Sequence, residues 1–315
     1  MNKYFSFSSI SLLAALLLFS CKGPKSAAQQ TDVLPQALLW KIEGADLQQP
    51  SYLFGTIHMI PKEDYFLPSG FDDAFDKSKN VVFEIDLDEM SGMGSLMGML
   101  SNLMMNDGTT LEDLLTEQEY KEVSAYFDDM GIPMFLLSKV KPMFLSMLAE
   151  INMDPADMQS DEVVSYEMEF YERAQKEGKD VGGLETMQYQ MSLFDSIPYK
   201  DQAKMLVDAV RGTNTDSDMF DQTVEMYKQQ NIGAMLGMMD EAPSGDEASY
   251  EDILINHRNQ NWIPIMSKMM KSGSVFFAVG AGHLAGDQGV INLLKKQGYK
   301  VTPVSVYKKV APQRT

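Results

Sequence analysis

Cysteine is almost absent from this 315-residue chain, in which Cys21 stands alone. No disulfide can form within the chain, and a metal site built on cysteine thiolates is excluded. Histidine is scarce as well: His58, His257 and His283 are the full set. Basic residues are few beside the acids, 26 Lys and Arg against 45 Asp and Glu, for a formal net charge of −19. A surface of that sign repels nucleic acid and anionic lipid head groups, so a nucleic-acid role is set aside. Long apolar runs are missing too. Ile10 to Phe19 supplies about ten apolar residues, too few to cross a bilayer as a finished helix, which takes roughly 20.

That run reads instead as part of a processing signal over residues 1–20, with Lys3 as its positive n-region and Leu18-Phe-Ser-Cys21 as its close. The closing phrase resembles a bacterial lipobox, with a small residue directly before the cysteine, which implies cleavage before Cys21 and lipidation of its thiol and new amino group. An ordinary secretory peptide with Cys21 near the cut is the alternative. Residues 21–35 are polar and small and read as a flexible tether. Two or more acyl chains anchor stably, so the expected place is a membrane surface of a bacterial cell envelope, periplasmic or associated with the outer membrane. Residues 36–310 then form one domain, without a linker-like interruption.

What is present is a repeated phrase. Ser51-Tyr-Leu-Phe-Gly-Thr-Ile-His58 is an apolar, strand-like run with Gly55 three positions before a histidine. Val275-Phe-Phe-Ala-Val-Gly-Ala-Gly-His283 repeats it with Gly280 and His283. A strand of this kind delivers its following polar residue to the C-terminal edge of a sheet, where loops build sites. Two such strands side by side would bring His58 and His283 to one edge. Each histidine could instead satisfy backbone groups at its strand end, but the repetition favours a site.

The spacing predicts strands over 37–43 and 51–58 as a hairpin, a helix over 71–78 and a strand over 80–86, with a parallel crossover between the last two strands. Glu84 lies among Val81, Val82, Phe83 and Ile85. It either shares a solvated face with Val82 and Asp86 or is paired in a site, because an unpaired buried carboxylate costs too much. Thr110 and Thr116 both open capping boxes, and Gly131 closes the second helix. Further helices are expected over 143–151, 162–177 with Gly178 as C-cap, 186–197, and onward to Met239 with breaks at Gly212 and Gly233. A Met- and Gly-rich amphipathic stretch covers 89–105. The 26 methionines are spread over many helices, which suits adaptable packing or a pliable groove better than a thioether copper site. Residues 179–185 form a short strand ending on Glu185. In the helix over 249–271, His257, Arg258 and Asn259 are contiguous, and at about 100° per residue one or two of them can enter a site. Arg258 or Asn259 is the choice. A helix over 287–297 and an edge strand over 300–306, marked by Pro303, complete the chain.

Trp40-Lys-Ile, Tyr52-Leu-Phe-Gly-Thr-Ile-His58, Phe83-Glu-Ile-Asp86, Gly183-Leu-Glu-Thr186 with Gln190, Arg258-Asn259 with Trp262, and Gly280-Ala-Gly-His-Leu-Ala-Gly286 leading to Gly298-Tyr-Lys-Val301 together resemble the TraB/PrgY/GumN family, which includes the Tiki metalloproteases. The resemblance spans nearly all of residues 37–306 and rests on order and spacing. It implies a single α/β domain with a mixed central sheet flanked by many helices, related in fold to erythromycin esterase and ChaN-like proteins. It also implies a site on His58, His283 and Glu84, metal-dependent in the Tiki members, with Glu185 and Arg258 nearby. His257 has no counterpart and is expected at the surface.

On that implication, His58, His283 and Glu84 suit a divalent metal (manganese, cobalt or zinc) with open positions for water. Glu84 or Glu185 would serve as ligand or general base, and Arg258 would stabilise an oxyanion or hold a substrate carboxylate. The expected function is a lipid-anchored metallohydrolase acting on peptides or proteins. The alternatives are a lipoprotein that captures a peptide or small ligand without turnover and, on fold analogy alone, haem or iron handling.

Overall fold

The structure, a computed structural model, describes residues 34–44, 46–88, 101–150, 162–212, 216–240 and 248–307. The expected signal, Cys21 and most of the tether lie outside the described residues, as does most of the 89–105 stretch.

Eight strands are present among the described residues: β1 (Leu39–Glu43), β2 (Ser51–Thr56), β3 (Ile60–Pro61), β4 (Asn80–Ile85), β5 (Val163–Val164), β6 (Asp180–Glu185), β7 (Val275–Gly280) and β8 (Lys300–Pro303). Six of them form a mixed sheet in the order β6-β4-β7-β2-β1-β8. Four neighbours, β6, β4, β7 and β2, run parallel; β1 is antiparallel to both β2 and β8. The fold is α/β with a mixed central sheet flanked by helices. The hairpin of β1 and β2 forms as expected, and β8 lies at the edge, where Pro303 costs no ladder bond.

Of the parallel strands, β2, β4 and β7 carry near-continuous apolar runs, as strands covered on both faces do. Phe54 and Phe276 from the sheet meet Phe71, Phe75 and Phe170 from helices Phe71–Lys77 and Tyr166–Glu177, with ring centroids 5.2–5.9 Å apart between strand and helix partners. By alternation, Leu53, Phe277 and Val82 share the opposite face. Helix His257–Ser272 joins the core through buried Trp262, Ile263, Met266 and Met270. β6 approaches β4 so closely that a Cβ on Gly183 would collide with the amide of Asp86 and lie 2.7 Å from the carbonyl carbon of Ile85.

The segment between β4 and β6, joined by helix Tyr199–Arg211 from beyond β6, builds a helical region with its own core of Leu111, Val123, Phe127, Met134, Leu145 and Leu206. Both capping boxes form there, at Thr110 and Thr116. Three expectations shift. Helix 162–177 starts at Tyr166, because Val163–Val164 pair instead with Ile60–Pro61. The break expected at Gly233 falls at Gln230, which takes a positive φ of 54° while its side chain accepts from the Leu38 amide. The helix expected over 249–271 is interrupted by a wider turn over Asp252–Asn256 before Arg258.

Candidate functional site

The parallel ladder fixes where the repeated motif ends. Thr56 pairs with Gly280 across β2 and β7, so His58 and His283 follow the same rung by two and three residues. β4 and β6 run the same way beside them and carry Glu84 and Glu185 to the same edge, with Ile85 paired to Glu185. Gly55 has a packing reason: a Cβ there would stand 2.9 Å from Leu284 Cδ2 and 3.1 Å from Ala281 Cα, in the turn that bears His283.

Arg258 sits at the centre. Its Nε donates to Glu185 Oε1 at 2.9 Å, its Nη2 to Glu84 Oε2 at 2.5 Å, and its Nη1 to the Leu254 carbonyl at 2.9 Å. The same Nη1 lies 3.1 Å from His283 Nε2, and Nη2 makes a further ion-pair contact with Glu185 at 2.7 Å. All three guanidinium nitrogens are therefore engaged inside the protein. The four carboxylate oxygens are equally well served. Glu84 Oε1 accepts from the Gly280 amide at 2.8 Å, Gln190 donates to both Glu84 and Glu185 at 3.2 Å, and Trp262 Nε1 donates to Glu185 Oε2 at 3.0 Å. Gln190 arrives because Thr186 caps the helix Met187–Leu193 directly after β6.

His283 is 4% exposed. Its Nδ1 lies 2.7 Å from Asn259 Oδ1, while Asn259 Nδ2 donates to the carbonyl of Gln288 at 2.9 Å and faces that of His283 at 3.4 Å. The amide is thereby oriented with its oxygen towards the ring, so Nδ1 carries the proton and Nε2 the lone pair that accepts from Arg258. The Trp262 ring packs on the imidazole at a centroid distance of 4.5 Å. Both Arg258 and Asn259 thus enter the cluster, and His257 is exposed.

Burial pushes the Glu84 carboxyl up, but the attraction of His283 and Arg258 and the Gly280 amide outweigh it and hold the group down at about 2. Burial lowers His283 to about 4, against the pull of Glu84. At neutral pH the centre is a guanidinium flanked by Glu84 and Glu185 beside a neutral imidazole.

His58 stands apart from these contacts. Its Nδ1 pairs with Glu167 Oε1 at 3.3 Å, and its side chain is 77% exposed. That hydrogen bond raises the imidazole above its ordinary value, although water screens much of the attraction at such exposure. His58 still contributes to the electrostatics of Glu84 and His283. The structure therefore brings Glu84, Glu185, Arg258 and His283 into one hydrogen-bonded cluster and sets His58 at the same sheet edge without direct contact. Glu167 was not picked out in the sequence. Its only signal is an acid in the first turn of a helix, which is commonplace.

The donor types, imidazole nitrogen and carboxylate oxygen, fit a divalent metal. As they stand, no group of three His, Cys, Asp or Glu among the described residues is arranged to hold one. Arg258 supplies the positive charge between the two carboxylates.

Comparison with known proteins adds the lineage. The model of the TraB/PrgY/gumN family matches residues 38–303. The chain belongs to this family. Among curated proteins it is similar to Metalloprotease TIKI2 of Danio rerio, 21% identical over 84% of the chain and 60% of the relative, and to Metalloprotease TIKI2 of Xenopus tropicalis, 23% identical over 89% and 61%. Metalloprotease TIKI1 of Homo sapiens is 21% identical over 87% and 62%. The chain spans about three fifths of the length of these relatives. No solved structure matches.

Proposed function

We propose that this TraB/PrgY/gumN family member is a metal-dependent hydrolase of peptide bonds, held at a membrane surface of the cell envelope by a lipid on Cys21. The observation that carries the reading is the convergence of both Gly-x-x-His turns and two strand-end glutamates on one edge of the parallel sheet. The relatives' name, metalloprotease, supports the same chemistry.

His58, His283 and Glu84 would hold the metal, with manganese, cobalt and zinc all compatible with such donors. Bound there, a divalent cation supplies Lewis acidity towards a peptide carbonyl and a more acidic water. The chain's own contribution is orientation. Asn259 keeps the proton of His283 on Nδ1, and Arg258, Gln190 and Trp262 hold Glu84 and Glu185 in place. Admitting a cation requires Arg258 to give up its bonds to Glu84 and His283, after which its freed N–H groups can face a developing oxyanion.

The test is metal content and affinity of the purified full chain in detergent, with His58→Ala and His283→Ala compared after a circular-dichroism check of folding. Stoichiometric binding lost in both variants supports the reading and justifies a peptide-cleavage screen. Binding equal in all three chains, or absent from the wild type, removes it.

One observation favours a second reading, capture without turnover: every oxygen of Glu84 and Glu185 already has a donor inside the protein. A peptide retained intact on the wild-type chain through prolonged incubation with metal would decide for capture.

A further inference from the structure

Glu167 has a set of contacts that a solvated helix acid does not need. Besides His58 Nδ1, its Oε1 accepts from Thr56 Oγ1 at 2.6 Å, and its Oε2 accepts from Ser165 Oγ at 3.2 Å. Thr56 is the last residue of β2 and is buried, and Ser165 caps the helix Tyr166–Glu177 whose second residue is Glu167. The carboxylate is therefore fixed from the strand that carries His58 and from the helix start, where its charge is also favoured. An ionised carboxylate only accepts, so the ring nitrogen facing it must be the one that bears hydrogen. His283 shows the same arrangement with a different acceptor, Nδ1 towards Asn259 Oδ1.

We propose that Glu167 is a positioning residue that keeps the proton of His58 on Nδ1 and leaves Nε2 as the reactive nitrogen, so that both Gly-x-x-His histidines work through the same atom. The tautomer itself follows from the contacts around Glu167; the use of Nε2, to take up a proton or to ligate, rests on the hydrolase reading. Such outer acceptors set the orientation and basicity of working histidines, and their loss typically lowers metal affinity or activity about 10- to 100-fold.

The experiment is long-range 1H–15N spectroscopy of the full chain labelled at histidine, followed across pH until each ring is neutral. With three histidines, His58→Gln assigns the His58 signals. The expected wild-type pattern for neutral His58 is Nδ1–H with a lone pair at Nε2, the form that an unconstrained histidine disfavours. Glu167→Ala should return His58 to the Nε2–H form with His283 unchanged, and Glu167→Asp should restore part of the wild-type pattern. A wild-type His58 in the Nε2–H form overturns the proposal without recourse to any variant, as does a Glu167→Ala spectrum identical to wild type. If His58 shows Nδ1–H and no peptide is cleaved, the hydrolase reading fails while the assignment of Glu167 stands. Cleavage by a chain whose His58 is Nε2–H separates the two the other way.

Discussion

Arg258 Nη2 approaches Glu84 Oε2 to 2.5 Å while its Nε holds Glu185 at 2.9 Å, so one buried cation ties together the ends of two adjacent parallel strands. Arg258 is only 7% exposed, and both carboxylates are largely buried.

Removing that cation leaves two carboxylates uncompensated. Arg258→Met is expected to destabilise the protein by about 3–5 kcal/mol, the usual cost of breaking a buried pair from one side. Arg258→Lys keeps the charge but not the fork and should fall between. Urea unfolding measures both, and a loss below about 1 kcal/mol for Arg258→Met would contradict the arrangement.

Acid should weaken the fold in two steps. Unfolded His283 takes up a proton near pH 6.5, whereas the folded residue resists until about 4. The unfolded state therefore binds more protons in that window, so stability drops by up to roughly 3 kcal/mol as pH is lowered from about 6.5 to about 4. Glu84, held at about 2 against 4.5 unfolded, contributes stability that is present above about pH 4.5 and lost as pH falls through 2. Melting curves of wild type and His283→Gln between pH 8 and 4 should converge towards acid as the variant escapes the first step.

Gly183→Ala tests the closeness of β6 to β4. The added methyl meets backbone rather than a flexible side-chain end, so relief requires the strands to part and carries Glu185 away from Arg258. A loss of about 1–3 kcal/mol is expected, with weaker Trp262 burial visible in its fluorescence. An unchanged melting temperature would refute the contact.

Metal removal bears on the proposed activity. Dialysis against a chelator should abolish peptide cleavage, and manganese, cobalt or zinc should restore it. Cleavage that survives chelation at full rate rules out the metal.

The sheet edge was legible in the sequence because its information is local. β2 and β7 are short apolar runs that end just before the histidine each delivers, and the repetition of Gly-x-x-His points to a shared edge. Arg258 and Asn259 were narrowed by helical spacing, yet both take part, since Arg258 reaches the carboxylates while Asn259 orients His283 from the adjacent position. The direct meeting of His58 and His283 was an expectation that the contacts do not display, because Glu167 holds His58. Glu167 itself could not be read off: its partner lies 109 positions away in number and its surroundings match any amphipathic helix start. The second core, around Phe127 and Leu206, was hidden for a similar reason. Helix caps are written in a few neighbouring residues, but the packing of one helix on a distant one is not.

The shared rung of Thr56 and Gly280 also has a temporal meaning. More than 200 residues separate the two motifs, and β7 must insert between β4 and β2 before the edge exists. Contacts of such sequence separation close late and slowly. A ribosome-bound chain that has emerged only as far as β6 carries Glu84, Glu185 and His58 but neither Arg258 nor His283, so the centre cannot assemble during most of the synthesis of the polypeptide.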